Sequence, residues 1–269
     1  MHQSFNLLKT QNKQSQRFFV FFICCAGFFL LALIIKSQGS IFFINKVTYQ
    51  YAHQLRTSFL DLVAILICLL GDKNVIIPTF AINSVCLIYQ QKKRLAFYLF
   101  GVIALAAILA FVFKILIASP RPGAMTAVLK NFSFPSGHVT LCAAYLVFLY
   151  ALITPYLSYV KRKVTAITFI LILMAVMAAR LLLDAHWLTD VVGGALLGIS
   201  CGLIGAYGYY RKTSPTFNVG LLLKILSLIF LVISSLYLIF FWKKMRNEYQ
   251  IQNGVPSLER TISDRKLTK

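Results

Sequence analysis

The sequence predicts an all-α integral membrane protein, a bundle of about six to seven transmembrane helices with its functional site at their outer, membrane-facing ends. Of the 269 residues, 59% are hydrophobic and only 13% are charged, whereas a typical soluble domain is about half apolar and about a quarter charged. Apolar runs that reach or approach the roughly 20 residues needed to cross a bilayer recur along the chain. Short basic clusters separate these runs, as they do in membrane proteins.

The first apolar run covers residues 18–35, within an expected span at 18–36, and is longer than the core of a signal peptide, which has about 7–15 residues. We therefore expect a retained span there, and further spans at 75–90, 95–117, 138–156, 164–183, 190–209 and 219–242. The stretch 41–71 differs, because four polar residues interrupt it: Lys46, His53, Arg56 and Asp61. An amphipathic or re-entrant segment is expected in that stretch.

Basic loops predict the orientation of the bundle. The loops after the second, fourth and sixth spans carry basic clusters, at 92–94, 161–163 and 211–212, and such loops tend to stay in the cytoplasm. The basic segment 1–17 fits the same side, so loops 118–137 and 184–189 are expected to face outward. Seven crossings would, however, place the basic tail after Trp242 outside, against the usual bias, so the expected number of spans is six or seven.

The charge of the chain is strongly unbalanced, with 27 Lys and Arg against 7 Asp and Glu, a formal net charge of +20. Nucleic acid is a common partner of so basic a protein, but here the basic residues lie between apolar runs and form no single patch or stripe. We therefore expect no nucleic acid partner. The six cysteines lie in or against apolar segments with no CxxC pairing, which is typical of small buried residues.

Glycines in the sixth span predict one specific helix contact. Gly194, Gly198 and Gly202 recur every four residues, a spacing that lets two helix backbones approach closely. We interpret this repeat as a packing surface. No whole span is repeated along the chain, so the sequence gives no sign of a two-fold transporter architecture.

Ionisable residues at the ends of spans are candidates for function, because charge inside a membrane is costly. Since consecutive spans alternate in direction, the ends of the third and fifth and the starts of the fourth and sixth share the outer face. Six such residues are thereby predicted to lie together: Lys114, Arg121, His138, Arg180, His186 and Asp190.

The three cations of this group predict a phosphate ligand, because guanidinium forks match phosphate oxygens. Ser136 and Gly137 lie at a predicted helix start, where free backbone N–H groups favour anions. Asp184 and Asp190 are too few carboxylates for a dedicated two-metal site. We therefore expect no metal and no other cofactor.

The remaining groups predict a reaction. Asp190 follows His186 by four residues, the spacing of one helical face, so its carboxylate is expected to orient one ring nitrogen and leave the other for attack on phosphorus. His138, on another helix, is left to protonate the departing alkoxide.

Each residue also has a structural interpretation. Lys114 could be a snorkelling lysine, and Arg121 or Arg180 an interfacial anchor. His138 could be a core histidine, Asp190 a helix-terminal carboxylate, and Arg180 with Asp184 an i,i+4 ion pair. The placement of all six groups on one face favours a functional site.

The same residues resemble a family signature in three parts. Lys114-Ile-Leu-Ile-Ala-Ser-Pro-Arg121-Pro122, then Pro135-Ser136-Gly137-His138, then Arg180 with His186 and Asp190 at the matching spacing, resemble the type 2 phosphatidic acid phosphatases, a superfamily that includes the vanadium haloperoxidases. Order and internal spacings agree, and three separate motifs make the match specific. One departure is Ala179, where the family usually has Ser before the arginine, and we expect it to tune affinity.

The resemblance implies metal-independent hydrolysis of a phosphomonoester or diphosphate through a phosphohistidine. It assigns His186 as the nucleophile, Asp190 as its orienting group and His138 as the general acid. The phosphate binders it implies are Lys114, Arg121, Ser136, Gly137 and Arg180. A lipid phosphotransferase using the same intermediate is the nearest alternative, and an anion transporter or channel is a remote one.

The chain is accordingly divided into a cytoplasmic segment 1–17, a membrane-embedded phosphatase domain 18–210 with its signature at 114–190, a loop and additional span 211–242, and a polar basic tail 243–269. The expected substrates are isoprenyl diphosphates such as undecaprenyl diphosphate, phosphatidylglycerophosphate, phosphatidic acid or lipid A phosphates. Membrane lipids are the other expected partners. The expected location is a bacterial inner membrane, with the site facing the periplasm or exterior.

Overall fold

A computed structural model describes residues 2–37, 42–122, 131–212 and 217–249, with side chains from residues 15 and 43 onward in the first two ranges. These residues form nine α-helices, one 3₁₀ helix at Thr154–Tyr156, and no strand. The α-helices are α1 (His2–Lys36), α2 (Phe42–Gln54), α3 (Ser58–Cys68), α4 (Lys73–Tyr89), α5 (Lys93–Ile117), α6 (Gly137–Ile153), α7 (Tyr159–Leu182), α8 (Leu188–Tyr210) and α9 (Val219–Tyr249). The predicted tail lies outside the described residues beyond position 249.

Six helices of the described chain are long and apolar enough to cross a membrane, within α1, α5, α6, α7, α8 and α9. This result confirms the all-α membrane class. The expected span at 75–90 corresponds to α4, which has 17 residues and is not among the six. At about 1.5 Å per residue, α4 is about 25 Å long, somewhat less than the hydrocarbon thickness of about 30 Å.

Two short helices, α2 and α3, occupy the stretch 41–71 that interrupted the apolar pattern. Asn45 of α2 is fastened to the start of α8, because its amide donates to the Thr189 hydroxyl at 3.0 Å and its oxygen accepts from the Thr189 backbone N–H at 3.1 Å. Thr57 caps α3 by accepting from the N–H of Leu60. Helix α3 packs against α7, so this stretch covers the end of the bundle near the start of α8.

The close pair of α6 and α8 forms the centre of the bundle, and the glycine repeat explains it. An added Cβ would lie 2.7 Å from the Ser136 carbonyl oxygen at Gly194, 2.3 Å from the Thr140 oxygen at Gly198, and 2.7 Å from the Ala144 oxygen at Gly202. The prediction that these glycines form a packing surface is confirmed. Because α6 begins at Gly137 and α8 at Leu188, this contact sets the distance between the two predicted motifs.

Large apolar side chains are exposed on the outer faces of the peripheral helices. Examples are Phe19, Phe97, Ile167 and Phe240, which are 68%, 71%, 57% and 75% exposed. Such a continuous apolar exterior is stable only where lipid chains cover it. The helices therefore turn their polar residues to the interior and ends of the bundle.

Candidate active site

Side chains of the three predicted motifs surround one cavity of about 480 Å³ at one end of the bundle. Its lining includes five of the predicted residues and the glycine of the second motif: Lys114, Arg121, Gly137, His138, Arg180 and His186. Two predicted residues, Ser136 and Asp190, lie directly behind this lining, and the Ser136 N–H donates to the Asp190 carbonyl at 3.0 Å. The groups that the alternating direction of the spans predicted to share one face therefore lie together in the structure.

The His186 and Asp190 pair forms as expected, but for a different reason. His186 precedes α8, which begins at Leu188, so the spacing of four does not place the pair on one helical face. Instead, Asp190 folds back over the helix start, where its Oδ2 accepts from the Trp187 backbone N–H at 2.8 Å and lies 3.3 Å from Nδ1 of His186. The interpretation of Asp190 as a helix-terminal carboxylate is thus also correct.

The second ring nitrogen of His186 faces the cations of the cavity. Its Nε2 lies 3.4 Å from an Nη of Arg121, and the residue is only 3% exposed. Burial, followed by the positive charges of Arg121 and Arg180, lowers the pKa of His186 well below its usual value. The imidazole is therefore neutral at pH 7, which is the form that can act as a nucleophile.

The segment 131–133 holds two of the cations. Nζ of Lys114 donates to the Phe132 and Ser133 carbonyls at 2.7 and 3.0 Å. Arg121 donates to the backbone and side-chain oxygens of Asn131, and to the carbonyl of Ala185 beside His186. Burial and the nearby Arg180 lower the pKa of Arg121 to about 10, so it remains charged. Asn131 lines the cavity and was not predicted as a site residue.

Arg180 is buried at the end of α7 and only 2% exposed. One Nη lies 3.5 Å from Sγ of Cys68, and its guanidinium lies 5.5 Å from the ring centre of Tyr249. Within the described chain, the Nε of Arg180 and the Oγ of Ser136 are buried without a hydrogen-bond partner. Arg180 lines the cavity and Ser136 lies just behind its lining, so these unsatisfied polar atoms indicate a polar ligand there.

Asp184 does not pair with Arg180, so the i,i+4 interpretation is wrong. Its Oδ2 instead lies 2.6 Å from an Nη of Arg56 and 2.7 Å from Nδ1 of His53. Arg56 also makes a two-pronged contact with Asp61, at 3.0 and 2.9 Å. Arg56 and Asp184 are 128 residues apart; their pairing ties the segment before α3 to the turn that leads to His186.

Two further helices, α4 and α9, reach the cavity, although neither belongs to the three motifs. Asp72, at the start of α4, lies 3.7 Å from Nε2 of His138. Tyr249, at the end of α9, lines the cavity above Arg180, and its carbonyl accepts from Arg56. Asp72 is one of only seven acidic residues and stands just before an expected span, so the alternation that located the other groups could have found it.

The side of the cavity between α4 and α5 is apolar. It is lined by Ile77, Ala107, Ala110, Phe111, Ile115 and Leu141. Phe111 and Ile115 are 64% and 56% exposed on the outer face of α5, so this wall continues to the surface that lipid chains cover. The cavity therefore combines a cationic end with an apolar side.

Comparison with known proteins agrees with this geometry. Residues 95–214 match the model of the PAP2 superfamily. This part of the chain is thus similar to PAP2 proteins. A crystal structure of a transmembrane PAP2-type phosphatidylglycerolphosphate phosphatase from Bacillus subtilis is 26% identical, covers 71% of this chain and 98% of its own, and superposes with a TM-score of 0.60. No curated protein gives a significant match.

These findings confirm the predicted family resemblance and the enzyme class, a phosphoric ester hydrolase. They also support a lipid phosphatase that is an integral membrane protein. The matched region contains nearly all of α5, the whole of α6 to α8, and all eight predicted site residues. Asp72, Tyr237 and Tyr249 lie outside it, on helices that flank the matched region.

Proposed function

We propose that this protein hydrolyses a lipid phosphomonoester or diphosphate, without a metal, through a phosphohistidine formed on His186. The observation that carries the proposal is the orientation of the His186 ring. Asp190 lies at Nδ1, and Nε2 faces a cavity bounded by Lys114, Arg121 and Arg180. A neutral imidazole oriented by a carboxylate among fixed cations has the geometry of an activated nucleophile beside a multiply charged anion.

The cationic end of the cavity would hold the phosphate. Its oxygens would accept from Lys114, Arg121 and Arg180, and would supply the partners that Arg180 Nε and Ser136 Oγ lack within the described residues. The free N–H groups at the start of α6, at Gly137, add donors and the positive end of the helix dipole. Positively charged side chains would thus stabilise the transferred phosphoryl group.

The reaction would proceed in two steps. In the first, the Nε2 lone pair of His186 attacks phosphorus while the P–O bond to the lipid breaks, and His138 gives its proton to the departing oxygen. Asp190 stabilises the imidazolium that forms. In the second, His138 takes a proton from water as that water attacks the phosphohistidine, which releases phosphate and restores neutral His186.

The apolar wall between α4 and α5 supports a lipid as the substrate. A lipid whose phosphate is held among the cations would have its apolar chains beside Ile77, Phe111 and Ile115, and the bilayer lies beyond these residues. Phosphatidylglycerophosphate is the first candidate, because the similar Bacillus subtilis protein is described as its phosphatase. Phosphatidic acid, undecaprenyl diphosphate and lipid A phosphates are the other members of the class.

We also propose that the site residues serve the roles given above, and that residues 18–210 form the catalytic membrane domain. The loops 92–94, 161–163 and 211–212 lie at the ends of helices opposite to the cavity. Because such basic loops favour the cytoplasm, the cavity would face the exterior, or the periplasm if the membrane is a bacterial inner membrane.

Phosphate release from purified protein in detergent tests the proposal. The substrate panel is phosphatidylglycerophosphate, phosphatidic acid, undecaprenyl diphosphate and lipid A, each with and without EDTA. We expect wild type to release phosphate from at least one, insensitive to EDTA, and His186→Ala to release none. His53→Gln, a histidine outside the cavity lining, is the matched control and should be active. Equal release by wild type and His186→Ala would refute the proposal, and transfer of label to a second lipid would reveal a phosphotransferase.

A further inference from the structure

Asp72 is held with its carboxylate directed at His138. Its Oδ1 accepts from the Asn74 backbone N–H at 2.8 Å, which caps α4. Its Oδ2 lies 3.7 Å from Nε2 of His138 and 3.4 Å from the hydroxyl of Tyr237 on α9. Tyr237 is itself fixed by the Asn74 amide at 3.2 Å. One carboxylate oxygen thus serves the helix and the other faces the histidine.

The charged groups around His138 explain why a carboxylate beside it matters. Several charged or titratable groups of the described residues face the cavity beside it, on every element packed there: Asp72, Lys73, Lys114, Arg121, Arg180, His186 and Tyr249. Four of these seven are cations, and each disfavours a protonated imidazole. Asp72 is the carboxylate among them. Burial alone would raise the pKa of Asp72, but the contact with His138 and the Asn74 N–H lower it, so Asp72 is ionised.

We propose that Asp72 is a positioning residue that orients His138 for donation to the leaving lipid oxygen and favours its protonated form against the surrounding cations, and that Tyr237 of α9 fixes the Asp72 carboxylate. The proposal rests on the proposed function, in which His138 is the general acid. It makes α4 and α9, which flank the region matched to the PAP2 superfamily, parts of the acid step.

The alternative is that Asp72 only caps α4. Asparagine caps a helix as well as aspartate does but carries no charge, so Asp72→Asn separates the two roles. The informative quantity is kcat/KM, because it includes only the steps up to and including the first irreversible step. Here that step is the departure of the lipid. We compare a lipid phosphate, whose alkoxide needs a proton, with an aryl phosphate whose phenol is acidic enough to leave without one.

If Asp72 acts through His138, Asp72→Asn should lose about 10- to 100-fold in kcat/KM at pH 7.5 on the lipid phosphate, and less than about threefold on the aryl phosphate. The basic limb of the lipid profile should move to lower pH by about one to three pH units, because the imidazolium has lost its counter-charge. Tyr237→Phe should change both quantities in the same direction by a smaller factor.

Three controls make the outcome decisive. Asp72→Ser, another good cap, should reproduce the Asp72→Asn pattern. Asn218→Ala removes the side chain that accepts from Leu221 at the opposite end of the bundle and should leave both substrates unchanged. Because both substrates are assayed on one preparation, partial unfolding lowers both rates equally.

The results also distinguish a failure of the role of Asp72 from a failure of the proposed function. If Asp72→Asn loses both substrates equally and its basic limb does not move, Asp72 is only a helix cap and this inference is overturned while the proposed function stands. If His138→Ala itself shows no difference between leaving groups, the acid role of His138 fails, and the inference about Asp72 fails with it.

Discussion

Replacing Gly198 by alanine should separate α6 from α8 and thereby disturb the active site. The added Cβ would lie 2.3 Å from the Thr140 carbonyl oxygen and 2.7 Å from Cβ of Ala143. Ordinary contacts begin near 3.4 Å, so the helices must move apart by about 1 Å, and a backbone oxygen cannot rotate away. Overpacking of this kind lowers the free energy of unfolding by about 1–3 kcal/mol. The higher helix propensity of alanine offsets up to about 1 kcal/mol of this loss.

The consequence for activity is larger than that for stability. Helix α6 begins at the second motif and α8 carries Asp190, so a shift of 1 Å between them displaces His138 relative to His186. Misplacement by about 1 Å can cost about 100-fold in rate. We therefore expect Gly198→Ala to be destabilised by about 1–2 kcal/mol and to lose one to two orders of magnitude in kcat/KM.

Gly101→Ala is the matched control, because an added Cβ at Gly101 has no atom within 4 Å. It makes the same change in propensity within a long apolar helix and should leave both activity and stability at or slightly above wild type. Thermal unfolding in detergent and phosphate release measure the two quantities. If Gly198→Ala behaves like Gly101→Ala in both assays, the close contact between α6 and α8 does not position the site.

Two further predictions concern the polar groups around the cavity. Arg56→Ala removes the cation bound by the buried carboxylates of Asp61 and Asp184, and should cost about 3–5 kcal/mol of stability, which a fall in the unfolding temperature would report; an unchanged temperature would show that the pair contributes nothing. Arg121→Gln should raise the pKa of His186, since Arg121 helps to depress it. Because attack needs the neutral ring, the acidic limb of kcat/KM should then move to higher pH, and a limb that stays in place would contradict the electrostatic assignment.

The sequence predicted the bundle and most of the cavity because both follow from simple periodicity. Because span direction alternates, charged residues at successive span ends lie on the same face however the helices pack. The sequence alone could therefore place Arg121, His138 and His186 together. Asp72 and Tyr249 obey the same rule, at the start of the short α4 and the end of α9. Asp72 belongs to none of the three motifs, and the position of Tyr249 depends on how far α9 extends.

Other features depend on tertiary contacts that periodicity does not contain. The pairing of Arg56 with Asp184 joins positions 128 residues apart. Helices α2 and α3 are short and mix polar with apolar residues, so neither a span nor a loop pattern describes them. The contact of His186 with Asp190 was predicted from helical spacing, yet it arises because the carboxylate caps the helix that begins after the histidine.

The most direct test of the proposed mechanism is to trap the phosphorylated enzyme. Protein mixed briefly with a lipid substrate bearing labelled phosphate is denatured in alkali, which preserves phosphohistidine, and the labelled peptide is identified by mass spectrometry. A phosphohistidine mechanism predicts label on His186 in wild type, lost in acid, and absent from His186→Ala. Label on another residue, or phosphate release by wild type with no labelled protein at any quench time, would contradict it.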